Sequence, residues 1–373
     1  MALSRSDVPR ELLTRATIRG LVRMTIEEWG MIVVLLALVA VCPWWTYPVL
    51  LVPLAGRFHA LGVILHDLTH MPLRSKSLGA RFVEVLCGYP IASTLNAMRY
   101  HHLRHHRDSG METDPYYKDG RHNALWWTLN VARGLGLIPF WTVRAVVGAC
   151  AYQVRGLRNA YARIFLQDRS GADPRDSREV IDCARAEFGQ VAFQAVVVAA
   201  IVAWPAAMVW GYVVPVSVTG LLSAWRVLIE HNYERVSDRR VETIIAITND
   251  HHLNLWGALA LAPRNIGYHI VHHVHPHVSL TALPMLRDWY ASRHPDTYPG
   301  ARAPVARRAR TGRPTVPACS ACSPRHQISP ICMFRQAHVH GQGNLLHAAG
   351  RGRSRRTSGG VLPLQRLQPV DGT

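Results

Sequence analysis

Three clusters of histidines are the residues of this chain whose types and spacing could do chemistry. They read HDLTH at 66–70, HHLRHH at 101–106 and HIVHHVHPH at 269–277. In a helix, residues three and four positions apart lie on the same side, so each cluster would point its imidazoles in one direction. Eight residues have this spacing: His66, His70, His102, His105, His106, His269, His272 and His273. Eight imidazoles exceed the four ligands of a tetrahedral zinc ion. They suit two metal ions with nitrogen ligands, and iron is the metal suited to oxygen chemistry.

A hydrophobic block at 28–65 leads into the first cluster. It is too long for one membrane span of about 20 residues and long enough for two short ones. Within it, PWWTYP (43–48) predicts a turn with Trp and Tyr at the membrane interface. We therefore expect a helical hairpin with helices at 28–44 and 47–66, in which the charged groups of the second helix face the protein interior.

A second hydrophobic block, at 190–229, precedes the third cluster and again fits two spans, with a turn near Trp210 and Gly211. Two further apolar segments, 82–98 and 125–150, are interrupted by Gly, Pro or Arg, which predicts interfacial or re-entrant segments rather than full spans. The predicted fold is therefore all-α and integral to the membrane, with four transmembrane helices in two hairpins, interfacial helices and a histidine-rich cap.

The number of spans determines on which face of the membrane each cluster lies. Two spans precede the first and second clusters and two more precede the third, and an even number returns the chain to the side it left. Because Arg-rich segments stay in the cytoplasm, all three clusters and both termini are predicted to lie at the cytoplasmic face. An error of one span would place the third cluster on the opposite side.

The charge of the chain is concentrated near its ends. The formal net charge is +18, and residues 301–373 hold twelve Arg and a single acid, Asp371. Because the basic segments flank apolar spans, attraction to anionic lipid or a role in membrane orientation is favoured over nucleic-acid binding. We divide the chain into a basic N-terminal segment (1–27), a membrane domain (28–298) and an Arg/Pro-rich tail (299–373), whose composition predicts disorder.

With these motifs and this topology, the chain resembles the membrane fatty acid desaturase superfamily, which includes related hydroxylases and carotenoid ketolases. The family pattern is HxxxH, then HxxHH or HxxxHH, then HxxHH, after paired membrane helices. The eight histidines given above match it. The resemblance implies a non-haem centre of two iron ions (Fe²⁺/Fe³⁺), O₂ as a co-substrate, and attack on an unactivated C–H bond of a lipid acyl chain.

The resemblance also implies a ligand histidine at the end of the fourth helix, where His231 stands in RVLIEHNY. In the second cluster His101 competes with His102 as a ligand, and the spacing favours His102. Acidic neighbours commonly orient the N–H groups of ligand imidazoles. The candidates for this supporting role are Asp67, Asp114 and Glu230. Four further histidines are not predicted to bind metal: His275 and His277 are expected to lie in a loop, and His251 and His252 to lie at the interface or to support the ligands.

The leading functional prediction is an O₂-dependent desaturase that introduces a C=C bond. Alternatives are a hydroxylase or ketolase of acyl, alkane or carotenoid chains on the same scaffold, and a non-catalytic metal-binding membrane protein. Residues 190–225 largely lack His and acids, which disfavours metal transport. The chain has no HPGG-type haem motif, no CxxxxCxxC cluster motif and no GxGxxG fingerprint. An external electron donor, a ferredoxin or a cytochrome b5-like protein with a reductase, is therefore predicted.

Overall fold

The computed structural model describes residues 5–73, 76–119, 123–251, 254–295 and 297–299. This part of the chain is helical and contains no β-strand, which confirms the predicted all-α class. Its α-helices are α1 (Ile18–Val41), α2 (Tyr47–Thr69), α3 (Leu78–Val83), α4 (Leu95–Asp108), α5 (Ala124–Ala132), α6 (Leu137–Gln153), α7 (Leu157–Ala160), α8 (Arg178–Ala203), α9 (Pro205–Met208), α10 (Val214–Glu230), α11 (Val241–Ile247), α12 (His269–Val274) and α13 (Leu283–Arg293). The predicted disordered tail and His252 lie outside the described residues.

Short turns of other helical types join these elements. The 3₁₀ turns are Arg5–Asp7, Arg10–Leu12, Trp44–Thr46, Tyr89–Ile91, Arg133–Gly136 and Pro263–Asn265. The π-helical turns are Glu84–Gly88, Tyr161–Phe165, Val209–Val213 and Gly257–Leu261. Such turns shift the direction of side chains along a helix, and π turns are frequent near functional sites.

The predicted first hairpin is present as α1 and α2, which pack along each other. α2 begins at Tyr47, the predicted start, and runs to Thr69, three residues past the predicted end. α1 begins at Ile18 rather than at residue 28, because the side chain of Thr17 caps the helix and accepts the N–H of Gly20 at 3.1 Å. The second half of the segment predicted to be a separate polar N-terminus is therefore the first part of α1.

Charged side chains in the middle of α2 face the protein interior, as predicted. Arg57 donates to Glu28 at 3.2 Å and to the carbonyl oxygens of Ala258 and Leu259 at 2.8 Å each. Glu28 also accepts from Arg264 at 2.5 Å. These bonds attach the segment that leads into the third histidine cluster to both helices of the first hairpin.

The second hairpin turns at Trp204 and Pro205, and the predicted turn at Trp210 and Gly211 is wrong. Trp204 has φ −135° and ψ 63°, outside the helical region. Pro205 lacks the N–H that would continue the helical hydrogen bonds. Beyond the turn, Val209–Val213 forms a π-helical turn that runs directly into α10, so Gly211 lies inside a helix.

Five helical segments in the described part of the chain are long and apolar enough to cross a membrane, compared with the four predicted spans. The additional one is Ala124–Gln153, which contains α5 and α6 and for which the sequence predicts an interfacial helix. A 3₁₀ turn at Arg133–Gly136 separates α5 from α6, and a Cβ on Gly134 there would lie 2.7 Å from the carbonyl oxygen of Gly220 in α10. α5 packs on α10, whereas α6 packs mainly on α8 and also contacts α10.

Candidate metal centre

The three histidine clusters meet at one end of the membrane helices, as predicted. The first cluster ends α2, the second lies on α4 and the third on α12. The ring centroid of His66 lies 4.1 Å from that of His102 and 4.8 Å from that of His272. His231 ends α10 and joins them, since its Nε2 lies 3.2 Å from Nε2 of His105. Meeting in this way requires an even number of membrane crossings between the clusters, whereas the described part of the chain has five segments long and apolar enough to cross.

A first group of possible metal ligands draws on all three clusters. Its members are His66, His70, His102, His106 and His272. One nitrogen of each residue lies within 4.8 Å of the corresponding nitrogens of the others. Nε2 of His70 is 3.0 Å from Nε2 of His102, and Nε2 of His272 is 3.1 Å from Nε2 of His106.

A second group lies beside the first. Its members are His105, His231 and His273, with an overlapping set of Glu230, His231 and His269. Nε2 of His231 is 3.2 Å from Nε2 of both His105 and His269. The side chains of this group are all buried. The nine histidines that the sequence analysis names as ligands therefore fall into two adjacent groups, which is the arrangement that two metal ions require.

The spacing of these nitrogens fits shared metal ions. Two nitrogens bound to one ion at about 2.1 Å, at angles of about 90–110°, lie about 3.0–3.4 Å apart. The four Nε2–Nε2 distances of 3.0 to 3.2 Å fall in this range. Both ring nitrogens of His273 are buried and lack a hydrogen-bond partner within the described residues. Such a buried polar group is costly unless something binds it, and a set of imidazoles with one carboxylate suits iron.

Burial keeps these imidazoles neutral, which is the form that binds metal. Burial lowers the pKa of His70 and the pKa of His231 to about 3. Burial, followed by the neighbouring imidazoles, holds the pKa of His102, His272 and His273 well below the usual 6.5. The site can therefore accept metal cations without first releasing protons from these rings.

Asp114 supports His105, in the role that the sequence predicts for it. Nδ1 of His105 donates to Oδ1 of Asp114 at 2.8 Å, and both side chains are buried. Because Nδ1 carries the proton, Nε2 of His105 presents its lone pair to the second group. The N–H groups of Gly110 and Tyr116 also donate to the carboxylate, at 3.0 and 2.8 Å. Burial alone would raise the pKa of Asp114, but His105 and these two donors lower it.

Glu230 connects α10 to the third cluster. Its Oε1 accepts from Arg226 at 2.8 Å and lies 3.2 Å from Nε2 of His251 and 3.4 Å from Nδ1 of His269. The carboxylate can therefore orient His269 or itself bind a metal ion beside His231. The contact with Glu230 gives His251 the supporting place that the sequence predicts for it.

Two other candidates have different surroundings. Asp67 follows His66 in α2 and points about 100° away from it around the helix. Oδ2 of its carboxylate is buried and has no hydrogen-bond partner among the described residues, so this oxygen orients no imidazole. His101 lies outside both groups, with Nδ1 2.6 Å from the hydroxyl of Tyr116. The Tyr116 ring stacks on His105 with centroids 4.3 Å apart, so His101 acts on the site through Tyr116.

A carboxylate outside the predicted set holds the third cluster in place. Oδ1 of Asp250 accepts the N–H of Ile270, in the first turn of α12, at 2.9 Å. Oδ2 accepts the hydroxyl of Tyr298 at 2.6 Å. α12 has only six residues, so a bond at its first turn matters for its position. The sequence contains no local pattern that links Asp250 to a helix twenty residues later, although it belongs to the NDHHLN segment.

A cavity of about 220 Å³ leads from the histidines into the helix bundle. The imidazoles on its wall are those of His59, His66, His101, His102, His105, His231 and His269. One face of α10 lines it from Thr219 to Glu230, a length of about 16 Å at 1.5 Å per residue. Its apolar wall includes Val63, Ile91, Met98, Leu137, Ile138 and Trp141. A long apolar chain in this cavity would pass directly beside the candidate metal ligands.

Comparison with known families covers the region that contains this site. A family model described as fatty acid desaturase matches residues 43–304, which include all three histidine clusters and His231. No curated protein matches the chain. Since the match spans most of the chain, the protein is a member of the fatty acid desaturase family.

Proposed function

We propose that this protein is an O₂-dependent, membrane-bound di-iron desaturase that introduces a C=C bond into a lipid acyl chain. The observation that carries the proposal is the cavity, which joins an apolar passage along α2 and α10 to two groups of buried imidazoles. Membership of the family supports lipid oxidation as the class of reaction. The nitrogen distances and the unpartnered rings support two metal ions as the cofactor.

The residues of the chain have separate tasks in this proposal. Iron bound by the histidines would supply the redox chemistry that activates O₂ and attacks an unactivated C–H bond. Asp114 holds the proton on Nδ1 of His105 and so fixes which nitrogen faces the metal. Ile91, Ile138 and Trp141 hold an apolar chain beside the imidazoles and exclude water from the cavity.

The balance of the reaction requires an electron donor. Removal of two hydrogen atoms from the acyl chain and reduction of O₂ to two water molecules consume two further electrons and two protons. The sequence carries no recognised motif for a haem, an iron–sulfur cluster or a flavin. A ferredoxin or a cytochrome b5-like protein with its reductase is therefore proposed as the external donor.

We further propose that the site faces the cytoplasm. Because the second and third clusters meet, the chain between them must cross the membrane an even number of times. We take α8 and α10 as the two crossings, so in this proposal Ala124–Gln153 does not cross the membrane, although it is long and apolar enough to do so. Cysteines introduced singly into 109–119 and into 232–240 should react with a membrane-impermeant thiol reagent from the same side. Labelling from opposite sides would contradict this topology.

Lipid analysis of cells that express the protein tests the proposed reaction. A product lighter than the substrate by two hydrogen atoms is expected, whereas a gain of one oxygen atom would indicate the alternative hydroxylase or ketolase. His273→Ala should abolish the product and reduce bound iron, since His273 is a buried member of the second group and its ring stacks on His106 of the first. His277→Ala, which changes an exposed histidine four positions away, is the matched control. Stable zinc with no turnover would support the non-catalytic alternative.

A further inference from the structure

The wall of the cavity is not apolar throughout. Lys118, Arg133 and Gln167 line it together with Asn130. Arg133 is exposed and Lys118 is half-buried, so these cations lie where the cavity opens to its surroundings. An opening with this composition differs from the inner wall, where imidazoles and apolar side chains predominate.

The cations at this opening repel one another. Arg133 and Arg169 are both close enough to Lys118 to lower its pKa, after the larger effect of burial. Asp114 acts in the opposite direction on Lys118, but its carboxylate is held by His105. Within the described residues, Lys118 and Arg133 form no ion pair, and the nearby Asp119 lies 3.5 Å from Arg235 instead. Uncompensated cations around a cavity favour an anionic ligand.

Two polar side chains, those of Gln167 and Asn130, adjoin these cations at the wall of the cavity. Gln167 has φ +55°, a left-handed backbone conformation that is uncommon for residues other than glycine. Strain of this kind concentrates where a side chain must be aimed at a ligand. The side chain of Asn130 donates to the carbonyl oxygen of Trp126 at 2.9 Å, and its oxygen accepts from Arg133 at 3.5 Å. Asn130 thereby holds Arg133 at the wall of the cavity.

We infer that this opening binds the acidic head group of the lipid substrate, a carboxylate or a phosphate, through Lys118 and Arg133 with Gln167 as a further donor. The inference rests on the proposed function in taking the ligand of the cavity to be the substrate. Arg133 presents a planar set of donors that matches carboxylate and phosphate oxygens, and Lys118 supplies a compact charge. A lipid anchored here places its apolar chain in the passage that the imidazoles line.

Equilibrium binding to the purified full-length protein tests this site without turnover. The probes are palmitate, palmitoyl coenzyme A and the uncharged methyl palmitate. Lys118→Gln and Arg133→Gln should each weaken palmitate binding by about tenfold or more, since each removes a charge-assisted contact. Binding of methyl palmitate should stay unchanged. Dependence of palmitoyl coenzyme A alone on these cations would assign the anion to a phosphate rather than to a fatty acid carboxylate.

Two further variants separate recognition of charge from damage to the fold. Lys118→Arg keeps the charge and should keep most of the affinity, whereas Arg185→Gln removes an exposed cation of α8 and should change nothing. Equal weakening of palmitate and methyl palmitate, or wild-type affinity in both Gln variants, would overturn the inference. Charge-selective binding without any lipid product would leave the inference standing and refute the proposed reaction instead.

Discussion

The bond between Asp114 and His105 makes a prediction that can be worked through from the structure. The carboxylate accepts three hydrogen bonds: Oδ1 from Nδ1 of His105 and from the N–H of Tyr116 at 2.8 Å each, and Oδ2 from the N–H of Gly110 at 3.0 Å. Asp114→Asn keeps the shape but replaces one oxygen with an NH₂ group. That group faces one donor at the Oδ2 position and two at the Oδ1 position, so at least one bond is lost, and the negative charge is lost with it.

The expected magnitudes follow from these contacts. An unsatisfied buried N–H costs about 1–3 kcal/mol, which sets the loss of folding stability in Asp114→Asn. Loss of a carboxylate that orients a ligand imidazole typically weakens metal binding by about 10- to 100-fold, or roughly 1.4–2.7 kcal/mol. Metal affinity should therefore fall even where the variant remains folded.

Competition with a chelator for Fe²⁺ measures the metal affinity, and thermal unfolding in detergent measures the stability. Asp176→Asn is the matched control. Asp176 is exposed, pairs with Arg155, and belongs to a segment of the sequence that contains none of the candidate ligands. Wild-type iron affinity in a folded Asp114→Asn protein would refute the argument that this carboxylate sets the ligand nitrogen of His105. A fall in stability alone would assign Asp114 to the loop rather than to the metal centre.

Three further outcomes are expected. Glu28→Ala removes the buried carboxylate that pairs with Arg57 and Arg264 and should destabilise the protein by about 3–5 kcal/mol. The unfolding temperature should fall, and an unchanged temperature would contradict the importance of these ion pairs. Burial lowers the pKa of His231 to about 3, so at intermediate pH the folded state binds fewer protons than the unfolded state. The metal-free protein should therefore lose stability as the pH falls from about 6.5 towards 3. A flat profile of unfolding temperature against pH would be inconsistent with this. Added Fe²⁺ should raise the unfolding temperature at pH 7, and this shift should vanish in His231→Ala if the residue is a ligand.

Much of the site could be predicted from the sequence because its signals are local. The spacing of the histidines places each cluster on one side of its helix, and the hydrophobic blocks predict that an even number of spans separates the clusters. Both predictions depend on helix geometry alone. The family resemblance rests on the same residues, and the family match confirms it.

Other features depend on contacts between distant parts of the chain. Asp67 is adjacent to His66 in the sequence but points away from it, whereas Asp114 reaches His105 from a separate loop. Asp250 bonds to the start of α12 from twenty residues earlier. No periodicity encodes such contacts, since each is set by where a loop returns to the bundle.

The turn of the second hairpin and the packing of Ala124–Gln153 also depend on features that hydropathy does not contain. Hydropathy alone indicates how much chain can lie in a membrane, but it does not say where that chain reverses. The turn of the second hairpin lies at Pro205, and the close approach of Gly134 to Gly220 sets where Ala124–Gln153 packs on α10. The sequence by itself indicated which residues could bind metal and predicted that the three clusters lie together. Only the tertiary structure decided how the imidazoles divide into two groups and which carboxylates hold them, because packing between helices sets distances that spacing along one helix does not contain.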